Sequence, residues 1–174
     1  MTANNLMNLQ QVNDMTRDAF VAAMGSVFEY APWVAESAWE QRPFADSGQL
    51  HEAMLGLLRD SSRERILEFL AGHEDAQVTP AAIDAMTPDS RLEHISAGLH
   101  TLSPDQQTHV ARMVREYRDR FGFACIIALR GRTADEFIAL LEMRVASADL
   151  ATEIDITLIE VGKITRMRLD RMVG

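Results

Sequence analysis

Apolar residues recur along this chain at spacings of three and four, the period of helices with one buried face. Thr16 precedes "RDAFVAAMGSVF", Pro32 opens "PWVAESAWEQ", and Asp46 with Gln49 resembles a capping box before "LHEAMLGLL". Ser62 precedes "RERILEFLA", and Gly72 follows it as the expected C′ residue. Thr79-Pro80, Thr87-Pro88 and Ser103-Pro104 each place a cap residue before a proline at the first helical position. Ser103 with Gln106, and Thr133 with Glu136, are capping-box pairs, and Gly122 ends "PDQQTHVARMVREYRDRF". No hairpin signal interrupts the series. The pattern predicts an all-α fold of about eight helices in a single domain over residues 1–174, with 1–14 as a less ordered lead-in.

Three stretches complicate the picture. In the helix after Thr87-Pro88, Leu92, Ile95 and Leu99 form the apolar stripe that should face the core. Ser90, Glu93 and His94 then share the opposite face at i, i+3 and i+4, a solvated face unless something covers it. In "ADEFIALLEMRV" the apolar stripe through Phe137 and Leu141 continues to Arg144. An arginine there needs an anion: an internal glutamate, or a carboxylate on a ligand. The last helix, over 149–172, carries Ile154, Leu158, Val161, Leu169 and Met172 on one face and Ile156 and Ile159 nearly opposite. It is either buried on both sides or turned with one face to a second subunit.

Composition narrows the function. With 174 residues and a formal net charge of −9, the chain is long enough for a real core and ill suited to nucleic acid or an anionic membrane. The one cysteine, Cys125, allows no internal disulfide and no CxxC motif. The N-terminus "MTANNLMNLQQVNDM" lacks the basic start and apolar core of a secretory leader. The longest apolar run, "FACIIAL" at 123–129, is too short to span a bilayer. A cytoplasmic protein is expected.

Candidate chemistry gathers at helix ends. His73 lies just past a helix C-terminus, where the dipole favours imidazolium, and either caps that helix or aims into a cleft. No HExxH motif or cysteine pair supports a metal site. The extended run 123–129 has no partner strand, so its N–H groups need acceptors from packing or from a ligand.

Taken in order, these segments resemble the 2-oxo-4-hydroxy-4-carboxy-5-ureidoimidazoline (OHCU) decarboxylases, which complete the conversion of urate to (S)-allantoin. "SVFEYAPWVAESAWEQRPF" is similar to the family's N-terminal segment, and "AGHEDA" stands at its Ala-His-Pro-Asp-Leu motif. "SRLEHISAGL" resembles Ser-x-x-Glu-Gln with a following Ala-Gly-Leu, and "YRDRFGFACIIALRGR" the Tyr-x-x-Lys-Phe-Gly-Phe-Pro-Phe-Ile segment. "LLEMRVAS" and "EIDITLIEVGKITRMRL" complete the series.

The resemblance implies an all-helical, cofactor-free enzyme acting on a small anionic substrate, commonly as a homodimer. It implies His73 as the catalytic acid-base group, with Glu93 raising its pKa and orienting it. It places Glu74, Ser90, His94, Arg144 and the segment Cys125, Ile126, Ile127, Ala128 and Leu129 around the substrate. Departures from the family pattern are Glu74 for proline, Ala76 for leucine, His94 for glutamine, Ala124-Cys125 for Pro-Phe and Ser147 for asparagine. They raise the alternative of a non-catalytic or substrate-shifted relative, binding a related ureido-imidazoline acid or acting as an interaction module.

Overall fold

A computed structural model describes residues 6–147 and 149–174. Among these the regular elements are helices: α1 (Leu9–Asp14), α2 (Arg17–Met24), α3 (Pro32–Trp39), α4 (Ser47–Arg59), α5 (Arg63–Ala71), α6 (Pro80–Asp84), α7 (Pro88–Ser96), a 3-10 turn (Leu99–Thr101), α8 (Pro104–Phe121), α9 (Ala134–Val145) and α10 (Leu150–Asp170). No described helix is long and apolar enough to cross a membrane. The predicted caps are in place. Thr16, Asp46, Ser62, Thr79, Thr87, Ser103 and Thr133 each accept a hydrogen bond from a backbone N–H in the first turn of their helix.

The chain forms two compact units. One takes the chain up to Gly72 together with Gly162–Gly174; the other is His73–Val161. In the first unit Phe20, Phe28, Met24, Leu50, Met54, Leu58 and Leu70 are fully buried. The lead-in carries a helix, α1, that the pattern does not predict; residues 1–5 lie outside the described residues. Asn8 and Gln11 form a capping box for α1. The Met7 N–H donates to the Met172 carbonyl at 2.8 Å, and the Gly174 N–H donates to the Met7 carbonyl at 3.0 Å. A polar, short helix with one buried residue, Val12, carries too weak a periodic signal to be read in advance.

Gly72 ends α5 differently from the expected left-handed C′ position. Its φ is −67°, open to any residue. Close approach explains the glycine: a Cβ there would lie 3.3 Å from both Cβ and Cγ of Tyr30. Gly122 does meet the expectation, ending α8 at φ +85°.

In the second unit Tyr117, Phe123, Phe137, Ile83 and Leu99 are fully buried, and Tyr117 packs against Phe121 and Phe123 with ring centroids 4.7 and 5.8 Å apart. Residues 123–129 run extended and buried without a partner strand. Side chains take the place of a neighbouring strand. The Ala128 N–H donates to Glu160 Oε2 at 2.8 Å, Arg144 donates to the Ile126 carbonyl at 3.2 Å, and Arg132 donates to the Ala128 carbonyl.

On α10, Ile154, Leu158, Val161 and Leu169 are buried as predicted. Glu153, Thr157 and Glu160 are buried too, at i, i+4 and i+7. Ile159 is 51% exposed, so the helix is not buried on both sides there. Its second inward face is polar, chosen by the arginines of α9 and its approach.

Candidate functional site

Helix α7 is turned the other way from its hydrophobic pattern. Leu92 and Ile95 are 56% and 38% exposed, while Glu93 and His94 are 7% and 8% exposed. The inward line is Glu93, His94 and Ala97, with Ser90 half-buried one turn earlier. Turning Leu92 and Ile95 inward would gain on the order of 1–3 kcal/mol from apolar burial. It would also return a carboxylate and an imidazole to water, which they prefer. Both preferences are overridden, a pattern that apolar packing of this helix does not explain.

His94 is held in one tautomer. Its Nδ1 lies 2.7 Å from the Ser90 carbonyl, which can only accept, so Nδ1 carries the hydrogen. Nε2 is then a lone pair, buried and with no hydrogen-bond partner among the described residues. Burial lowers the ring's pKa below the usual 6.5, with the Ser90 carbonyl opposing, so the ring is neutral at pH 7. The Ser90 hydroxyl accepts from Thr87 Oγ1 at 3.0 Å, tying the patch to the N-cap of α7.

His73 opens the stretch between α5 and α6 and is half-buried; Glu74 beside it is exposed. The His73 carbonyl accepts from Arg118 at 2.8 Å. The same guanidinium donates to Asp75 Oδ1 and Oδ2 at 3.0 and 3.1 Å.

Cys125, Ile126, Ile127, Ala128 and Leu129 are all buried. The Cys125 thiol is pushed up to about 12, first by burial and then, against the opposing Arg144 charge, by Glu153, Glu160 and Asp75. It stays protonated and is no nucleophile at neutral pH.

Arg144 forms the internal ion pair, one of the two roles its position on an apolar stripe allows. Its Nε donates to Glu153 Oε2 at 2.6 Å, and its Nη2 donates to Tyr117 Oη at 3.1 Å and Thr157 Oγ1 at 2.7 Å. With the Ile126 carbonyl, four acceptors surround a guanidinium that is 3% exposed. The Tyr117 hydroxyl donates to Glu153 Oε2 at 2.6 Å, and burial followed by that bond raises its pKa. Its bond to the Ile126 carbonyl ties Arg144 to the backbone of the 123–129 segment.

Sequence reasoning passed over Arg118, Asp75, Arg132 and the buried stripe Glu153, Thr157 and Glu160. The stripe had a readable signal, since its i, i+4, i+7 spacing matches that of an apolar core face. It also passed over Arg168, 9% exposed in the first unit, whose Nη1 pairs with Glu29 at 3.1 Å. Among the described residues no three His, Cys, Asp or Glu side chains group to hold a metal ion.

Comparison with known proteins adds a separate line. The profile described as OHCU decarboxylase matches residues 13–170. The chain is 38% identical over 163 residues to the 2-oxo-4-hydroxy-4-carboxy-5-ureidoimidazoline decarboxylase of Haloferax volcanii, covering 94% of each chain. It is 33% identical to the decarboxylase of that name from Amia calva, covering 96% of this chain and 95% of that one. Two solved structures share the fold at 22% identity. An (S)-allantoin synthase superposes with a TM-score of 0.75 over 95% of this chain and 54% of its own. An OHCU decarboxylase crystallised with (S)-allantoin superposes with a TM-score of 0.64 over 83% and 92%.

Proposed function

The chain belongs to the OHCU decarboxylase family, and from that premise we propose that it is a carboxy-lyase converting 2-oxo-4-hydroxy-4-carboxy-5-ureidoimidazoline to (S)-allantoin in urate degradation, without a cofactor. The observation that carries the reading on this chain is α7, which buries Glu93 and His94 while leaving Leu92 and Ile95 in water.

The reaction needs four things. A carboxylate must be held, carbon dioxide must leave, the electron pair of the broken C–C bond must be retained in the ring, and a proton must reach one face. In this proposal His73 is the acid-base group: the electron pair of the broken C–C bond moves into the ring and onto the C=N nitrogen, which takes a proton from solvent, while His73 takes the hydroxyl proton as that oxygen becomes the ring carbonyl and returns it to the ureido-bearing ring carbon. Glu93 orients the imidazole and offsets its charge. The backbone of residues 125–129 meets the ring oxygens with N–H groups other than that of Ala128, which Glu160 holds; Glu160 and Arg144 fix its direction. Arg144 then acts on substrate through Ile126, a positioning role.

His94 has a separate part. A glutamine at its position would offer both a donor and an acceptor. His94, with Nδ1–H committed to Ser90, offers only the Nε2 lone pair and so accepts from an N–H of the ring or ureido group. The departure from the family pattern thus keeps the acceptor half of the amide's function. A homodimer belongs to the same proposal, supported by Ile159 standing exposed on α10; sedimentation would give twice the 19.5 kDa chain mass.

The test is substitution of the central residue. His73→Asn should fold as the parent by circular dichroism and lose turnover of the freshly generated ureido-imidazoline acid. A folded His73→Asn protein with parental turnover would remove His73 from the mechanism.

A further inference from the structure

We infer that Arg118 is a positioning residue for His73, and that the last turn of α8 sets the spacing between the histidine and the extended backbone segment. The inference rests on the proposed function above.

The stretch between α5 and α6 has no helical hydrogen bonds of its own to hold it. Arg118 ties it to α8. One guanidinium reaches the His73 carbonyl at 2.8 Å and both Asp75 carboxylate oxygens at 3.0 and 3.1 Å. Fixing the 73 carbonyl fixes the peptide plane that follows His73, and with it the direction of the His73 Cβ. Gln77 supports the same stretch by donating from Nε2 to the Asp75 carbonyl at 2.9 Å.

The base of this clamp is rigid. The Arg118 carbonyl accepts from Gly122 at 2.8 Å where α8 stops. The preceding residue, Tyr117, is 0% exposed and bonded to Glu153 and Arg144. Consecutive helix residues point about 100° apart. Tyr117 therefore serves Arg144 and, through it, the Ile126 carbonyl, while Arg118 serves the His73 stretch. Both halves of the proposed site are referred to two neighbouring residues of one helix turn. Arg118 and Asp75 are 33% and 27% exposed, a half-buried pair that solvent still partly screens.

The experiment compares Arg118→Ala and Arg118→Lys with the control Arg112→Ala, an exposed partner of Glu116 on the same helix. Two readouts are taken: kcat and KM on the ureido-imidazoline acid, and the ring ¹⁵N–¹H signals of labelled histidines. The His73 signal is assigned by its absence from His73→Asn. Arg118→Ala should lower kcat about 10²-fold with KM within about threefold, the scale of a catalytic group displaced by about 1 Å. A lysine keeps the charge but lacks the fork whose separate nitrogens reach the carboxylate and the carbonyl, so Arg118→Lys should fall between Arg118→Ala and the parent. The His73 ring signal should shift or broaden in Arg118→Ala while the other four of the five histidines stay put. Unchanged kcat together with an unmoved His73 signal would overturn the inference. If the parent does not turn over this acid, the proposed function fails, and the ring signal alone decides the positioning. Should Arg118→Ala not fold, Asp75→Asn replaces it: the same two readouts moving supports the clamp, and neither moving overturns it.

Discussion

Replacing Arg144 with methionine should destabilise the protein more than any single change on its surface. The substitution keeps an unbranched side chain in the space and removes the charge. It leaves Glu153, 0% exposed, as a buried carboxylate whose remaining donor to Oε2 among the described residues is the Tyr117 hydroxyl at 2.6 Å. It also strips the donor from the Ile126 carbonyl and from Thr157. Breaking a buried pair by deleting one partner costs about 3–5 kcal/mol. For a chain of this size that lowers Tm by about 6–20 °C. The double substitution Arg144→Met with Glu153→Met removes both charges. It should cost about 3 kcal/mol, well short of the sum of the two single substitutions, the deficit coming from the Tyr117 and Thr157 hydroxyls and the Ile126 carbonyl, which lose partners at about 1 kcal/mol each. Urea unfolding followed by circular dichroism at 222 nm measures all four proteins. A single mutant within 1 kcal/mol of the parent, or a double mutant as unstable as the sum of the singles, would refute the internal pairing. A ligand-gripping arginine would instead show lost turnover at unchanged stability.

Three further expectations follow from the same geometry. Glu93→Gln keeps the shape of a buried group and removes its charge, so kcat should fall about 10²-fold or more; parental kinetics would make Glu93 a structural residue only. The pKa values of His51 and His94 are both lowered from 6.5, chiefly by burial, so the unfolded chain binds protons more readily than the folded one below that value. Stability is then complete above about pH 6.5 and declines as pH falls toward the lower folded values, and a urea midpoint flat between pH 7 and 5 would contradict it. Leu92→Lys should leave the urea midpoint nearly unchanged, within about 0.5 kcal/mol, while Ala97→Lys, at a position 2% exposed, should cost several times more; the reverse order would mean α7 faces the other way.

The helices were legible because their ends are marked by cap residues, prolines and Gly122, and local chemistry suffices to read those. The orientation of α7 was not, because periodicity assigns the apolar stripe to the core, and this helix buries its polar residues instead. Arg144 was legible as an anomaly on an apolar stripe, but its partner was not, since Glu153 lies on another helix and only packing brings them together. His73 and Glu93 stand out only through the order of motifs along the whole chain, as each alone has an ordinary structural explanation. The Arg118 clamp spans 43 residues between two polar side chains and leaves no local trace.

The most direct test of the central claim is optical. The ureido-imidazoline acid is made freshly from urate by the two preceding enzymes, and circular dichroism is followed with and without this protein. Stereospecific protonation predicts rapid growth of the (S)-allantoin signal, far ahead of the spontaneous reaction, and its loss in His73→Asn. A signal that develops no faster than in the protein-free control would contradict the account.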